Sequence, residues 1–401
     1  MPVRYRKVIY IPGFDPAPPR RYRELYRKEA KTQAAISDYV IKMGARKSAG
    51  PFGWSVTAHM GGQETRTDFS VLVWADIVQA SMDRGIFATY AQLWKTAWIY
   101  VGSGALFRLM RLRKGPVIAA LYPIVMLIAQ ALIAALLAAG VARAALRLFP
   151  WPLSAGLAVV FGLLVFALIL RWFRAQDHRL FAYYLMHDYA FTAGTKGAYP
   201  KALEARIAGF GSTIRAALTS DCDEVLVIGH SSGAHLAVSV LADLVRKGLP
   251  GARPALSFLS LGHVVPMVSF LPDARRLRRD LHCLSGSTLL TWVDVTAPGD
   301  GCSFALCDPV AVSGVAPVEK RWPLVISAAF TQTLSPARWK ALRWRFFRLH
   351  FQYLCAFDRP GIYDYFRITA GPQTLAARFA DCRPSKSRIE TPASAFTGMD
   401  P

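Results

Sequence analysis

Asp223-Glu-Val-Leu-Val-Ile-Gly-His-Ser-Ser-Gly-Ala-His-Leu-Ala-Val-Ser-Val-Leu-Ala-Asp243 decides how this chain folds. Val225 to Ile228 is a short apolar run, the composition of a strand covered on both faces. Ala234 to Leu244 carries good helix formers, with apolar residues at helical spacing. Between them lies Gly229-His230-Ser231-Ser232-Gly233. A serine set between two glycines in this way has a physical use at a tight strand-to-helix turn. The glycines let strand and helix approach without Cβ clashes, and the turn lifts the serine hydroxyl clear of both. The helix that follows presents free N–H groups and the positive end of its dipole, which suits an oxygen that is gaining negative charge.

This G-x-S-x-G between a strand and a helix resembles the nucleophile elbow of the α/β-hydrolase superfamily of serine esterases and lipases. The resemblance covers about 20 residues, and the rest of the chain has to supply partners for Ser231. Near the start, Val8-Ile-Tyr-Ile11 reads as a strand that runs into Pro12-Gly13-Phe14-Asp15. By the resemblance this is the oxyanion loop, so the amides of Phe14 and Ser232 would hold the oxyanion.

A serine nucleophile needs a base, and the base needs a carboxylate to fix its tautomer and balance its charge. The family's chain order is serine, acid, histidine. After Ser231 the histidines are His235, His263, His282 and His350. Only His350 lies beyond the predicted strand 289–296, so it is the expected base. For the acid, Asp294 sits inside that strand, whereas Asp300 follows its end in Ala297-Pro-Gly-Asp-Gly-Cys302. Functional groups of open α/β sheets gather outside the carboxyl ends of strands, which favours Asp300. Asp294 is the alternative acid, and Asp308 is a third choice that also suits a turn before Pro309. His235 reads as a packed helix residue, and His230 fills a variable position of the motif. No metal and no organic cofactor is expected.

The chain has 401 residues, enough for one large α/β domain with additions. Its hydrophobic fraction of 53% is high for a wholly soluble protein and points to membrane segments. The formal charge of +22 suits nucleic acid or an anionic lipid surface. Without zinc-finger spacing, an RNP-like segment or a basic heptad region, nucleic acid is not the expected partner. The cysteines, Cys222, Cys283, Cys302, Cys307, Cys355 and Cys382, form no C-x-x-C pair and suit a reducing compartment. Met1 to Val8 has no apolar stretch of signal-peptide length.

No charged residue lies between Lys114 and Arg143, or between Arg147 and Arg171. Residues 116–140 and 152–170 are each long enough to cross a hydrocarbon core of about 30 Å. Phe149-Pro-Trp-Pro152 separates them, with Trp151 suited to an interface. Arg108, Arg111, Arg113 and Lys114 precede the first span, and Arg171, Arg174 and Arg179 follow the second. The positive-inside rule then places both outer ends in the cytoplasm. The expected location is an integral, two-span protein of a bacterial inner membrane with its hydrolase domain cytoplasmic.

Elsewhere, residues 20–39, 86–110, 177–191 and 199–218 read as helices. Residues 54–58, 69–74, 255–261, 289–296 and 323–330 read as strands. Strands alternating with helices predict an α/β fold with a mainly parallel wound sheet, α/β-hydrolase-like, carrying a two-helix transmembrane insertion. The expected division is 1–107 for the first part of the hydrolase domain and 108–175 for the hairpin. Residues 176–382 form its second part, and 383–401 a disordered tail rich in Pro, Ser and Thr. The expected function is a membrane-anchored serine hydrolase of carboxylic esters, acting through an acyl-enzyme. Arg338 to Phe347 interleaves cations with aromatic rings, as headgroup-contacting segments do, which fits a lipid-derived substrate. Acyl transfer or thioester cleavage would use the same triad. A catalytically inactive membrane interaction module of the same fold is the alternative from another class.

Overall fold

The computed structural model describes residues 2–46, 50–149, 151, 153–251 and 253–400. Eight strands form one sheet: β1 (Tyr5–Ile11), β2 (Val40–Gly44), β3 (Gly53–Met60), β4 (Gln63–Val71), β5 (Glu224–His230), β6 (Ala255–Leu261), β7 (Thr291–Thr296) and β8 (Leu324–Ser327). Their order is β2-β3-β4-β1-β5-β6-β7-β8. From β4 to β8 every neighbouring pair is parallel, and only the β2–β3 and β3–β4 pairs are antiparallel. The protein is therefore an α/β fold built on a mixed, mostly parallel open sheet.

The central strands are apolar on both faces, and successive residues go to opposite cores. Val8 and Tyr10 of β1, with Leu226 and Ile228 of β5, join one apolar cluster. Ile9 and Ile11, with Val225 and Val227, join the other. The second cluster is closed by helices Lys201–Leu218, Gly233–Arg246 and Arg275–Gly286. The first is closed by helix Arg20–Ser37 and by the segment after β8. At the amino end of the sheet, Arg6 and Glu224 form a fully buried ion pair at 2.6 Å. Arg6 also donates to the carbonyls of Gly371 and Gln373, and Glu224 accepts from Ser257 and the Leu375 amide. The pair thus ties β1, β5 and β6 to the late part of the chain.

Order along the sheet fixes where a site can form. The chain leaves β1 toward one edge and, after β4, returns to build β5 to β8 on β1's other side. Ile11 pairs with Gly229, so the loops after β1 and β5 emerge side by side at the carboxyl edge. Such a switch in winding direction opens a crevice between the two loops.

Between β4 and β5 the chain forms a helical layer that contains Lys114–Leu148 and Leu153–Ala175. Both helices are long and apolar enough to cross a membrane. They pack on one another, with Gly162 of the second against Ala138 and Ala142 of the first. The first also packs on helices Ile86–Gly102 and Ala182–Ala193, where Leu127 is fully buried against Leu93 and Tyr183, while much of the remaining surface of both is open: Leu136 is 72% and Leu163 66% exposed. Pro150 and Pro152 of the expected break lie outside the described residues; Trp151 between them is exposed.

Several expectations are corrected. The first helix ends at Ser37, because Asp38 turns left-handed at φ 51° and the chain enters the edge strand β2, which has no clear sequence signature. The helix expected over 86–110 is divided at Gly104, φ 69°. The one expected over 177–191 is broken at Phe181, φ 54°. The tail, expected to be disordered, lies against the body. Ser385 donates to the Val325 carbonyl on β8, Ile389 bridges Cys307, and the Gly398 carbonyl accepts from Arg278. Its apolar anchors, Ile389 and Met399, account for the order.

Candidate active site

Ser231 stands between β5 and helix Gly233–Arg246 at φ 57°, a left-handed conformation that a serine rarely adopts. The surrounding backbone enforces it. A Cβ on Gly229 would lie 2.7 Å from the Ala234 Cα, and one on Gly233 would lie 2.2 Å from the Ile11 carbonyl oxygen. A Cβ on Gly13 would lie 2.9 Å from the Ser231 Cβ. Three glycines therefore let β1, the serine turn and its helix come together. The Ser231 amide is held by the Leu261 carbonyl at 2.9 Å.

Asp300 follows β7, and His350 ends the short helix Phe346–His350 beyond β8. His350 Nδ1–H donates to Asp300 Oδ2 at 2.8 Å. Asp300 also accepts from the Tyr353 hydroxyl at 3.0 Å and from the Cys302 amide at 2.9 Å. Burial alone would push the Asp300 carboxyl up. The His350 ring and the hydrogen bonds from His350, Cys302 and Ser303 instead hold it below its ordinary value. The carboxylate is thus ionised and fixes the tautomer that leaves Nε2 as an acceptor. His350 Nε2 is buried and has no partner. Ser231 does not yet donate to it, and such bonds commonly tighten only when substrate is present.

Ser231, His350, Gly13, Phe14 and Ser232 line one cavity of about 480 Å³. Neither the Phe14 nor the Ser232 amide is engaged in a turn or cap bond among the described residues. The Phe14 carbonyl points elsewhere and accepts from the Tyr184 hydroxyl. The set can therefore present a hydroxyl nucleophile, a base with a free nitrogen, an ionised orienting carboxylate and two adjacent amides.

The alternative acid is elsewhere. Asp294 lies within β7, accepts from Ser260 at 2.5 Å, and stands 3.5 Å from His263 Nε2. Asp308 caps the turn at Pro309 and pairs with Lys320 at 2.6 Å. His235 hydrogen-bonds Tyr199 at 3.0 Å, and burial pushes it down to about 3, so it stays neutral.

Three further residues belong to the site. His230 Nε2–H donates to the His350 carbonyl at 3.1 Å, and its ring centroid lies 4.8 Å from that of His350. Burial, then the neighbouring His350, pushes His230 down to about 3, so it acts as a neutral donor that holds the base. Tyr353 braces Asp300 and accepts from the Ala297 amide at 3.0 Å. Its spacing of three from His350 could have signalled a shared face; nothing in sequence signalled His230's contact. Asp188 lines the same cavity and accepts no hydrogen bond among the described residues. Burial raises it to about 7.

Asp300, Cys302 and His350 are also the one described group whose donor atoms lie close enough to gather round a cation. Burial, with Asp300 and Asp188 nearby, pushes the Cys302 thiol well up, and the other two donors are committed to each other. Comparison of the chain with protein-family models, with curated proteins and with solved structures yields no match.

Proposed function

We propose that this protein is a serine hydrolase of carboxylic esters, anchored in a membrane by its helical hairpin and related in architecture to the α/β-hydrolases. One observation carries the reading. Ser231, strained at φ 57°, opens into the same cavity as His350, whose Nδ1 is bound to Asp300 and whose Nε2 is buried without a partner. Backbone strain of this kind persists where surrounding structure over-determines it, and it collects at reactive groups.

In the proposed reaction Ser231 Oγ attacks the ester carbonyl carbon while its proton passes to His350 Nε2. The carbonyl oxygen takes up the charge, held by the Phe14 and Ser232 amides. Collapse expels the alcohol, which leaves with the proton from His350. Water then attacks the acyl-enzyme, giving a proton to Nε2, and the acid departs as Ser231 regains it. Asp300 balances the imidazolium at each stage. An alcohol or thiol in place of water or leaving group would use the same steps.

The hairpin supports the anchoring. Its exposed leucines and valines are stable in lipid and costly in water, and the flanking arginines favour a cytoplasmic domain.

A fluorophosphonate that reacts only with activated serines provides the test. The wild type should label, Ser231→Ala should not, and Ser232→Ala should label at least in part. Labelling that survives Ser231→Ala and vanishes in Ser232→Ala would place the nucleophile one residue along. A folded wild type that never labels would remove the enzymatic reading.

A further inference from the structure

A second cavity lies beside the catalytic one. It holds about 150 Å³, and its lining is apolar almost throughout. Helix Ile86–Gly102 supplies one wall, with Ala97 and Tyr100. The first turns of the membrane-length helix Lys114–Leu148 supply the other, with Val117, Ala120 and Leu121. Tyr100, Tyr189 and Met267 line both cavities and form the partition between them. The Tyr100 hydroxyl donates to the Met267 carbonyl at 2.9 Å, so these two polar groups of the partition satisfy each other.

The long helix lines both spaces. Pro116 faces the catalytic cavity and Val117, the next residue, the side cavity. Gly115 packs against the loop that bears Asp300: a Cβ there would lie 3.3 Å from the Gly301 Cα. At 35 residues this helix is about 52 Å long, well beyond a hydrocarbon core of about 30 Å. It can therefore wall the cavity at one end and still cross the bilayer. On the opposite wall, Phe87, Trp94, Trp98 and Val101 form an exposed stripe at helical spacing, of the kind that lies at a lipid interface.

We infer that the side cavity is the acyl-chain site for a long-chain, membrane-borne carboxylic ester. The carbonyl would sit at Ser231, and the chain would run past Tyr100 and Met267 into the space between the two helices. This rests on the serine-hydrolase reading and names its substrate class. An apolar space next to the serine cavity, reached by displacing the shared side chains, would discriminate between esters by methylene count, and a wall made of the anchoring helix would place it at the bilayer. Each methylene moved from water into such a site favours binding, so kcat/KM should rise roughly fourfold per methylene until the space is filled.

The test uses the full chain in phosphatidylcholine vesicles with nitrophenyl esters from acetyl to tetradecanoyl. The wild type should prefer chains of eight or more carbons over acetyl by at least tenfold. Ala120→Leu and Ala97→Leu fill the side cavity from opposite walls, and neither residue lines the catalytic cavity. Each should lower turnover of long esters at least tenfold while acetyl turnover stays within twofold. Should one variant fail to fold, the other carries the test. If acetyl esters are cleaved by a Ser231-dependent reaction but no long-chain preference exists, the acyl-site inference falls and the hydrolase stands. The same holds if both filled variants keep the wild-type profile. If no ester of any length is turned over in a Ser231-dependent way, both fall together.

Discussion

Asp300 and Asp294 show how much depends on where a carboxylate sits along a strand. Asp300, past the end of β7, meets His350; Asp294, inside the strand, meets Ser260 and His263. Burial and the nearby Asp308 carboxylate push the Asp294 carboxyl well up, although the Ser260 hydrogen bond opposes them, so it is a poor anion. Asp300→Asn would offer a carboxamide that favours the wrong His350 tautomer, and turnover should fall by about 10⁴-fold. Asp294→Asn, measured on protein that still melts cooperatively, should stay within about tenfold of wild type. The reverse ranking in steady-state ester turnover would transfer the role to Asp294. Asp188 makes a separate pH prediction. Withdrawal from water pushes its carboxyl up to about 7 in the folded state, against 3.8 ordinarily. The folded state then holds a proton that the unfolded chain has released, so stability declines as pH rises from about 4 to 7 and is level above. Asp188→Asn removes that penalty. Relative to wild type the variant should gain about 2–4 kcal/mol at pH 8 and almost nothing at pH 4. Denaturant unfolding at the two pH values checks this, and an equal gain at both would show that Asp188 carries no raised carboxyl.

At the scale of elements, local chemistry was easier to read than tertiary contact. The strand, serine turn and helix of 224–246 lie in one stretch, and the two glycines state the steric demand themselves: there is no room for a Cβ at either. The pairing of His350 with Asp300 could be reached from chain order and from a position after a strand. The contacts of Tyr353 and His230 could not, since each reaches Asp300 or His350 through the fold rather than through a pattern. The break at Phe181 was equally hidden, because a bulky residue at positive φ has no local signature and is held there by packing. Strand β2 alternates only between exposed and half-buried residues, so no apolar period marks it. The tail misled by composition: Pro, Ser and Thr dominate, but a few apolar side chains and backbone bonds to β8 suffice to order it. Arg338 to Phe347, expected from its composition to meet headgroups, turns its aromatic rings two ways. Trp339 packs against the core and Phe347 lines the Ser231 cavity, whereas Trp344 and Phe346 face outward.

Across the whole molecule, two helices long and apolar enough to cross a membrane are flanked by basic residues, and the proposed anchoring turns this pattern into a test of orientation. The hairpin lies between two arginine-bearing ends, and the site stands where its first helix meets the Asp300 loop. If both ends are cytoplasmic, Trp151 is the described residue at the far end of the hairpin, and it is exposed. All six native cysteines fall from Cys222 to Cys382, in the part of the chain after the hairpin, and none is in a disulfide. They provide an internal control. In intact cells an impermeant thiol reagent should leave the wild type untouched and modify Trp151→Cys. After lysis, native cysteines with any solvent contact should react in both proteins. A hairpin folded into the cytoplasmic domain would behave differently, with Trp151→Cys unreactive until the membrane is broken. A reversed insertion would expose the native cysteines to the reagent in intact cells and shield Trp151→Cys. The three patterns separate because the probe residue and the control residues lie on opposite sides of a single apolar barrier. Only the first is compatible with a cytoplasmic site fed from the inner leaflet.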